Sequence, residues 1–267
     1  MTSAKPAAID EPGACSDGWT DRLSLMEEWY QDLVGDGYEV AEAEIDRWIR
    51  PHREYLSRLK GKVIDVGGGI GTIGRFLSPE CQHVVVDPAG LWNRREWREF
   101  GQRFAPERSP TFVEARGEDL PFADGSFDAA VSCCSLNHVD LPEPCIAELA
   151  RIVRPEGRVL LVLEDMEPTW PDVLIGAAKQ FAWRLGLASE RRPLWHASSV
   201  GGVMHSAARK LSGKAWPVQP DHICIEERKL RRWLAPWFRI THRSWRGTLL
   251  TFELERLNSP QKDSSDS

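Results

Sequence analysis

Residues 63–77 read VIDVGGGIGTIGRFL, an apolar run that breaks into five glycines within eight positions, Gly67 to Gly74, before the texture of a helix begins. Glycine costs roughly 0.5–1 kcal/mol relative to alanine in regular structure. A cluster of glycines therefore marks a junction where the backbone must take positive φ or admit something against it. A bare turn needs one or two, so the cluster predicts a strand, a loop that a ligand approaches closely, and a helix over Ile70–Leu77. In open α/β sheets, turns at the carboxyl edge of the strands are where ligands bind.

The rest of the chain fits a sheet of that kind. Short apolar runs at 62–66 (KVIDV), 83–87 (HVVVD), 127–133 (FDAAVSC) and 157–164 (GRVLLVLE) are continuous instead of alternating, as expected for strands covered on both faces. A shorter strand is expected near Thr111–Glu114. Between the runs, Trp92–Phe104 and Pro144–Val153 read as helices, the latter stopped by Pro155 and Gly157. Strands alternating with helices imply right-handed βαβ units and a parallel sheet. Helical spacings over 19–60 predict two helices ahead of the sheet, and the runs Phe238–Trp245 and Thr248–Leu257 predict a closing antiparallel hairpin turning at Arg246 and Gly247.

The expected organisation is a disordered leader (1–18) and one domain over 19–257. That domain comprises N-terminal helices (19–60), a ligand-binding core (61–164), an inserted helical cap (165–224), and a final helix with the hairpin (225–257). A disordered tail (258–267) follows.

Composition narrows the function. A formal charge of −6 argues against general phosphate-backbone binding, so no nucleic-acid partner is expected. The basic run RKLRR, 228–232, alternates with Leu230, Trp233 and Leu234 as the solvated face of an amphipathic helix does. No apolar run approaches the roughly 20 residues of a membrane helix, and the N-terminus does not resemble a signal peptide. The six cysteines show neither metal-ligand spacing nor a paired framework, so no metal is expected and a reducing cytoplasm fits. Cys133 and Cys134, adjacent in an apolar run, read as small buried residues.

Two cofactor classes compete for the glycine loop. A dinucleotide fold wants G-x-G-x-x-G directly after the strand. Gly69, Gly71 and Gly74 meet that spacing only two residues late. D-x-G-x-G-x-G is met in full by Asp65, Gly67, Gly69 and Gly71, with Gly68 between them. A carboxylate at the strand end suits a ligand bearing ammonium and sulfonium groups, and repels phosphate oxygens. Asp87, closing the second run about 20 residues past the first glycine, suits the hydroxyls of a ribose.

On these residues the chain resembles the class I S-adenosylmethionine-dependent methyltransferases. VEARGEDLPFADGSFDAAVS, 113–132, and LNHVDLPEPCIAELARIVRPEGRVLLV, 136–162, are similar to the segments that follow strands 3 and 4 in the broad ubiquinone/menaquinone-biosynthesis-like subfamily. The resemblance covers residues 60–165. It implies an α/β, doubly wound, mostly parallel seven-stranded sheet of Rossmann-like methyltransferase type, with S-adenosylmethionine as cofactor. Asp65 would orient the amino-acid end of that cofactor, and Gly67, Gly68, Gly69 and Gly71 would line it. Asp87 would hold the ribose, and Arg116, Gly117, Glu118 and Cys133 would complete the site. Arg116 stands where the family usually has an adenine-binding Asp, so stacking by Arg116, the Gly117 N–H and the Glu118 carboxylate are alternative ways of holding adenine.

Methyl transfer needs a base only when the nucleophile must lose a proton. His138, after the fourth run, is the candidate base. His196, His205 and His222 read as surface or internally satisfied histidines, and Asp140 as a loop or cap residue. The tryptophans and Phe181 of 165–224 suggest a wall around a small apolar or aromatic acceptor, with Gly201 and Gly202 as a hinge. N/D-P-P-Y/F, expected of a nucleic-acid amino-methyltransferase, is absent; SCCSLNHV stands there instead. The alternative readings are a non-catalytic relative that keeps the cofactor and an NAD-binding oxidoreductase.

Overall fold

The computed structural model describes residues 37–106, 109–187, 200–213, 222–246 and 249–259, with isolated positions at 219 and between 24 and 35. Helices α1 (Tyr38–Ile49) and α2 (Arg53–Leu56) precede β1 (Lys62–Val66). Then come β2 (Gln82–Val86), α3 (Arg95–Phe104), β3 (Thr111–Val113), β4 (Phe127–Cys133), α4 (Pro142–Ile152) and β5 (Val153–Leu163). Helices α5 (Trp170–Arg184), α6 (Val200–Ser212) and α7 (Glu227–Leu234) lead to β6 (Phe238–Arg246) and β7 (Leu249–Arg256).

The seven strands form one sheet in the order β3-β2-β1-β4-β5-β7-β6. Pairings from β3 to β5 are parallel, and β7 runs antiparallel to both β5 and β6. The chain thus reverses its direction across the sheet between β1 and β4, which leaves a crevice at their carboxyl ends.

Period-two alternation explains why the strand runs are apolar throughout. Ile64 and Val66 face one layer, packed with Ile146 and Leu149 of α4 and Leu230 and Leu234 of α7. Val63 faces the other, packed with Ile45 and Ile49 of α1 and Trp97, Phe100 and Phe104 of α3. Both faces are dry, and each fully buried side chain of this size contributes about 1.5–3 kcal/mol. The basic run in α7 behaves as a solvated face, with Leu230 and Leu234 buried beneath it and Arg231 paired to Glu227.

Several expectations need correction. Ile70–Leu77 is not an α-helix but a 3-10 turn over Thr72–Phe76. Gly71 is left-handed at φ 79°, and the chain is extended again by Leu77, ahead of Pro79, whose ring disfavours helix in the residue before it. α4 ends short of Pro155 and Gly157, as the sequence predicts, but no loop follows it. The chain leaves the helix at Ile152 and enters β5 at once, and 154–157 form a bulge opposite Phe127 and Ala129. Gly157 is required there, because a Cβ would lie 2.5 Å from Val153 Cγ1 and 2.7 Å from the Arg154 carbonyl. Gly201 and Gly202 sit inside α6, not in a hinge loop. The hairpin expected at the C-terminus is present, with its turn at 247–248 outside the described residues. Also outside them lie most of 19–36, the proposed leader and most of the tail, together with Trp195, His196 and Trp216.

Candidate active site

The loops after β1 to β5 meet along the carboxyl edge. In the first, Gly67, Gly69 and Gly71 take φ of 70°, 53° and 79°, a conformation that side chains with a Cβ rarely adopt. Space is equally restrictive. A Cβ on Gly67 would come 2.3 Å from Ser135 Cβ, and one on Gly68 would come 2.4 Å from the Asp65 carboxyl carbon. The loop is pinned from behind. The N–H groups of Gly67 and Gly68 donate to the Val86 carbonyl at 2.7 and 3.3 Å, and Ser135 Oγ donates to the Val66 carbonyl at 2.8 Å.

The two strand-end carboxylates are both buried but differently held. Asp65 lies beneath Gly68, its Oδ2 3.8 Å from His83 Nε2 and without a hydrogen-bond partner among the described residues. Burial pushes its pKa up, opposed by the nearby His83 imidazole. Asp87 accepts from the Gly69 N–H and the Ala89 N–H, each at 2.9 Å. Burial raises its pKa to about 6, the two backbone bonds working against the rise and the Asp65 charge adding to it.

The third loop carries Arg116, Gly117 and Glu118. Arg116 Nη2 donates to Glu118 Oε1 at 3.2 Å and to Asp140 Oδ2 at 3.0 Å, while Glu118 Oε1 also accepts the backbone N–H of Asp140 at 3.1 Å. Asp140 is therefore more than a cap. It ties the loop after β4 to the loop after β3. Gly117 is wedged so closely that a Cβ would meet Cys145 Sγ at 2.8 Å.

Much of the string 118–128 has a structural explanation that its sequence does not reveal. The Leu120 N–H donates to Glu148, and Arg151 donates to the Leu120 and Phe122 carbonyls and to Asp124. Asp128 accepts the Lys62 N–H and pairs with Arg154, fixing the start of β1.

Cys133 ends β4, and Cys134 follows at a positive φ of 55°. Their Sγ atoms are 3.9 Å apart, and both are free thiols. The neighbouring thiol and burial push the Cys134 pKa well up, so neither geometry nor charge prepares a thiolate there.

His138 lies beside His222, their rings edge to face with centroids 4.4 Å apart. His222 is buried, with Nδ1 2.9 Å from Asp165 Oδ2 and Nε2 3.5 Å from Glu164 Oε2. Burial pushes Asp165 up, but the His222 and Gln219 hydrogen bonds and the nearby histidines leave its pKa below the usual carboxylate range. The Asn137 amide locks the arrangement, since it bonds both the N–H and the carbonyl of Glu164, and the Asn137 carbonyl accepts from the Ile223 N–H at 2.7 Å. His222, expected from the sequence to be a surface or internally satisfied histidine, is internally satisfied, and its partners Glu164 and Asp165 are not legible as site residues in the sequence. Their only signal was position, Glu164 and Asp165 at a strand's carboxyl end and His222 in a segment of no legible periodicity.

A cavity of about 210 Å³, lined by Gly71, Trp97, Gly101 and Phe112 among others, lies on the α3 side and touches neither Asp87 nor Arg116. Among the described residues no helix is long and apolar enough to cross a membrane.

Strand order, the left-handed glycine loop after β1 and the acid after β2 are those of the Rossmann-like methyltransferase fold. Residues 64–161 match the family model described as a methyltransferase domain. A demethylmenaquinone methyltransferase of Renibacterium salmoninarum is 27% identical over 82% of this chain and 84% of its own. A ubiquinone/menaquinone biosynthesis C-methyltransferase of Hahella chejuensis is 33% identical over 43% of this chain and 47% of its own.

Among solved structures, the 1,6-didemethyltoxoflavin-N1-methyltransferase of Burkholderia thailandensis, with 1,6-didemethyltoxoflavin and S-adenosylhomocysteine bound, aligns at TM-score 0.54 and 17% identity, covering 94% of each chain. The magnesium protoporphyrin IX methyltransferase of Synechocystis aligns at TM-score 0.54 and 16% identity, over 88% of this chain and 95% of its own. Likeness at that identity speaks for the fold.

Proposed function

We propose that this chain methylates a small acceptor with apolar or aromatic surface, using S-adenosylmethionine bound along the loops after β1, β2 and β3. The observation that carries the reading is the cradle itself. Three alternate glycines are left-handed, Cβ atoms are excluded at Gly67 and Gly68, and a buried Asp65 oxygen waits beneath the loop. These features fit the group. Asp87 would accept from the ribose hydroxyls, Asp65 would act from behind the loop on the ammonium end, and Arg116 with Glu118 would border the adenine. Bound there, S-adenosylmethionine supplies a sulfonium methyl group for in-line displacement.

The chain contributes position and dryness, for which effective molarities of ~10⁵–10⁸ M are the precedent. For the acceptor, support comes from α5 and α6, which pack on each other. Together they carry Trp170, Leu174, Ile175, Phe181, Trp183, Met204 and Leu211, all exposed. Large apolar side chains at a sheet edge make the wall of a pocket for an apolar ligand. In this reading the segment 165–224 is the cap that selects the acceptor.

A thermal-shift panel tests the cofactor. S-adenosylmethionine and S-adenosylhomocysteine are expected to raise Tm and NAD and NADP to leave it unchanged, with the shift reduced in Asp87→Ala. A rise with NAD alone would overturn the assignment.

A further inference from the structure

Three side chains from separate parts of the chain converge at the carboxyl edge: His138 after β4, Glu164 after β5 and His222 ahead of α7. One donor atom from each lies within 4.8 Å of the other two. We propose that His138, Glu164 and His222 form a binding site for a divalent transition cation of the zinc type.

Four observations support it. The donor set of two imidazoles and one carboxylate is that of zinc and its neighbours, whereas magnesium and calcium prefer oxygen alone. A cation about 2.0–2.2 Å from each donor needs donors roughly 3.0–3.6 Å apart, and Glu164 Oε2 and His222 Nε2 are already 3.5 Å apart. The imidazole is also oriented from behind. Nδ1 lies 2.9 Å from Asp165 Oδ2, and a ring N–H donated there leaves Nε2 as the nitrogen that faces Glu164. A carboxylate behind a ligating histidine is the usual outer partner in metal sites. Finally, the rings of His138 and His222 stand at 87° to one another, which lets their nitrogens meet at one point without stacking.

Asp165 itself is held at a positive φ of 47°, where a non-glycine residue is uncommon, and also accepts the Gln219 N–H at 2.9 Å. Three protein ligands leave a coordination position open to a bound oxygen or nitrogen donor. The loop carrying His138 also carries Ser135, which packs on Gly67, so the open position shares its edge with the glycine cradle. His138 becomes a ligand in this assignment, not the free base expected from the sequence. Spacing gave no hint, because the donors come from three distant segments.

The rival occupant of the space between His222 and Glu164 is a proton, with His222 an imidazolium between two carboxylates. The experiment separates the two. The full chain, stripped with a chelator and dialysed, is titrated with Zn²⁺ by calorimetry in competition with a chelating indicator. Binding of one equivalent is expected. His222→Gln and His138→Gln should each weaken it at least tenfold, and Asp165→Asn about tenfold as a positioning change. Co²⁺ in place of Zn²⁺ should give visible absorption that the same variants lose.

Failure of the chain to bind one equivalent, or equal binding in both histidine variants, overturns the proposal. The S-adenosylhomocysteine thermal shift is measured on every sample. A retained shift shows that the variants are folded and that the methyl-transfer reading stands whatever the metal does.

Discussion

The core from β1 to β5 and the segment between β5 and α7 are built on different physics. In the core, β1, β2, β4 and the second half of β5 are covered on both faces, and side chains such as Ile64, Val85, Leu149 and Val162 have no contact with water. In the segment, α5 buries little apolar surface and shows Leu174, Ile175 and Phe181 to solvent. What fastens α5 is charge. Arg243 of β6 makes a two-pronged contact with Asp172, at 2.8 and 2.7 Å, and reaches Glu227 of α7 with its Nε at 2.8 Å. Asp172 also completes a capping box with Thr169 at the start of α5. A region held by packing has one arrangement, whereas a region held by a few ion pairs over an exposed apolar face can admit a ligand beneath it. The contrast is between a rigid platform and a more loosely fastened segment beside it.

The sharpest break of the core side is Gly67→Val. A branched side chain at φ 70° facing Ser135 at 2.3 Å combines left-handed strain with overpacking. A loss of roughly 4 kcal/mol is expected in denaturant unfolding, together with loss of the S-adenosylhomocysteine shift. A variant of undiminished stability that still binds would show that the loop has room the geometry denies.

On the other side, Arg243→Met leaves two buried carboxylates facing each other. Breaking a buried pair by removing one partner costs about 3–5 kcal/mol, and the partial exposure of Arg243 places this one at the low end. Limited proteolysis should then cut within α5 and α6 while the core still responds to S-adenosylhomocysteine. Cleavage spread evenly over core and segment would erase the distinction.

Acid tests the same latch. Burial pushes the Asp172 pKa up, but the Arg243 and Thr169 bonds outweigh it and bring it to about 2. Its contribution is therefore full above the unfolded value near 3.9 and is lost as pH falls through about 2.

Asp87 has the opposite sign. Its folded pKa of about 6 means that the native state keeps a proton the unfolded chain has lost between roughly pH 4 and 6. Across that window, rising pH removes stability. A ribose whose hydroxyls donate to the ionised carboxylate gains from the same rise. S-adenosylhomocysteine is expected to bind about tenfold more tightly at pH 7 than at pH 5, and Asp87→Asn should flatten the profile, as read by calorimetry. A flat profile in the unmutated chain would remove Asp87 from direct contact with the ligand.

Legibility followed the same division. β1 and β4 were readable to the residue, because continuous valine and alanine runs bounded by glycine or polar turns admit few other readings. The bulge at 154–157 was not readable, since it depends on what stands opposite in β4. Nor were the ion pairs of Arg116, which reaches Glu118 on its own loop and Asp140 on the loop after β4.

By itself the sequence determined the layered α/β architecture, the glycine cradle and the strand-end acids, because each rests on local requirements: period, burial of neighbours in a run, and the φ that only glycine takes freely. Tertiary structure alone decided that Arg151 would clasp the loop after β3, that Arg243 would latch α5, and that His138, Glu164 and His222 would meet. Those outcomes depend on angstrom-scale distances between segments far apart in the chain. Local propensity does not encode such distances; the crossing of strands and helices sets them.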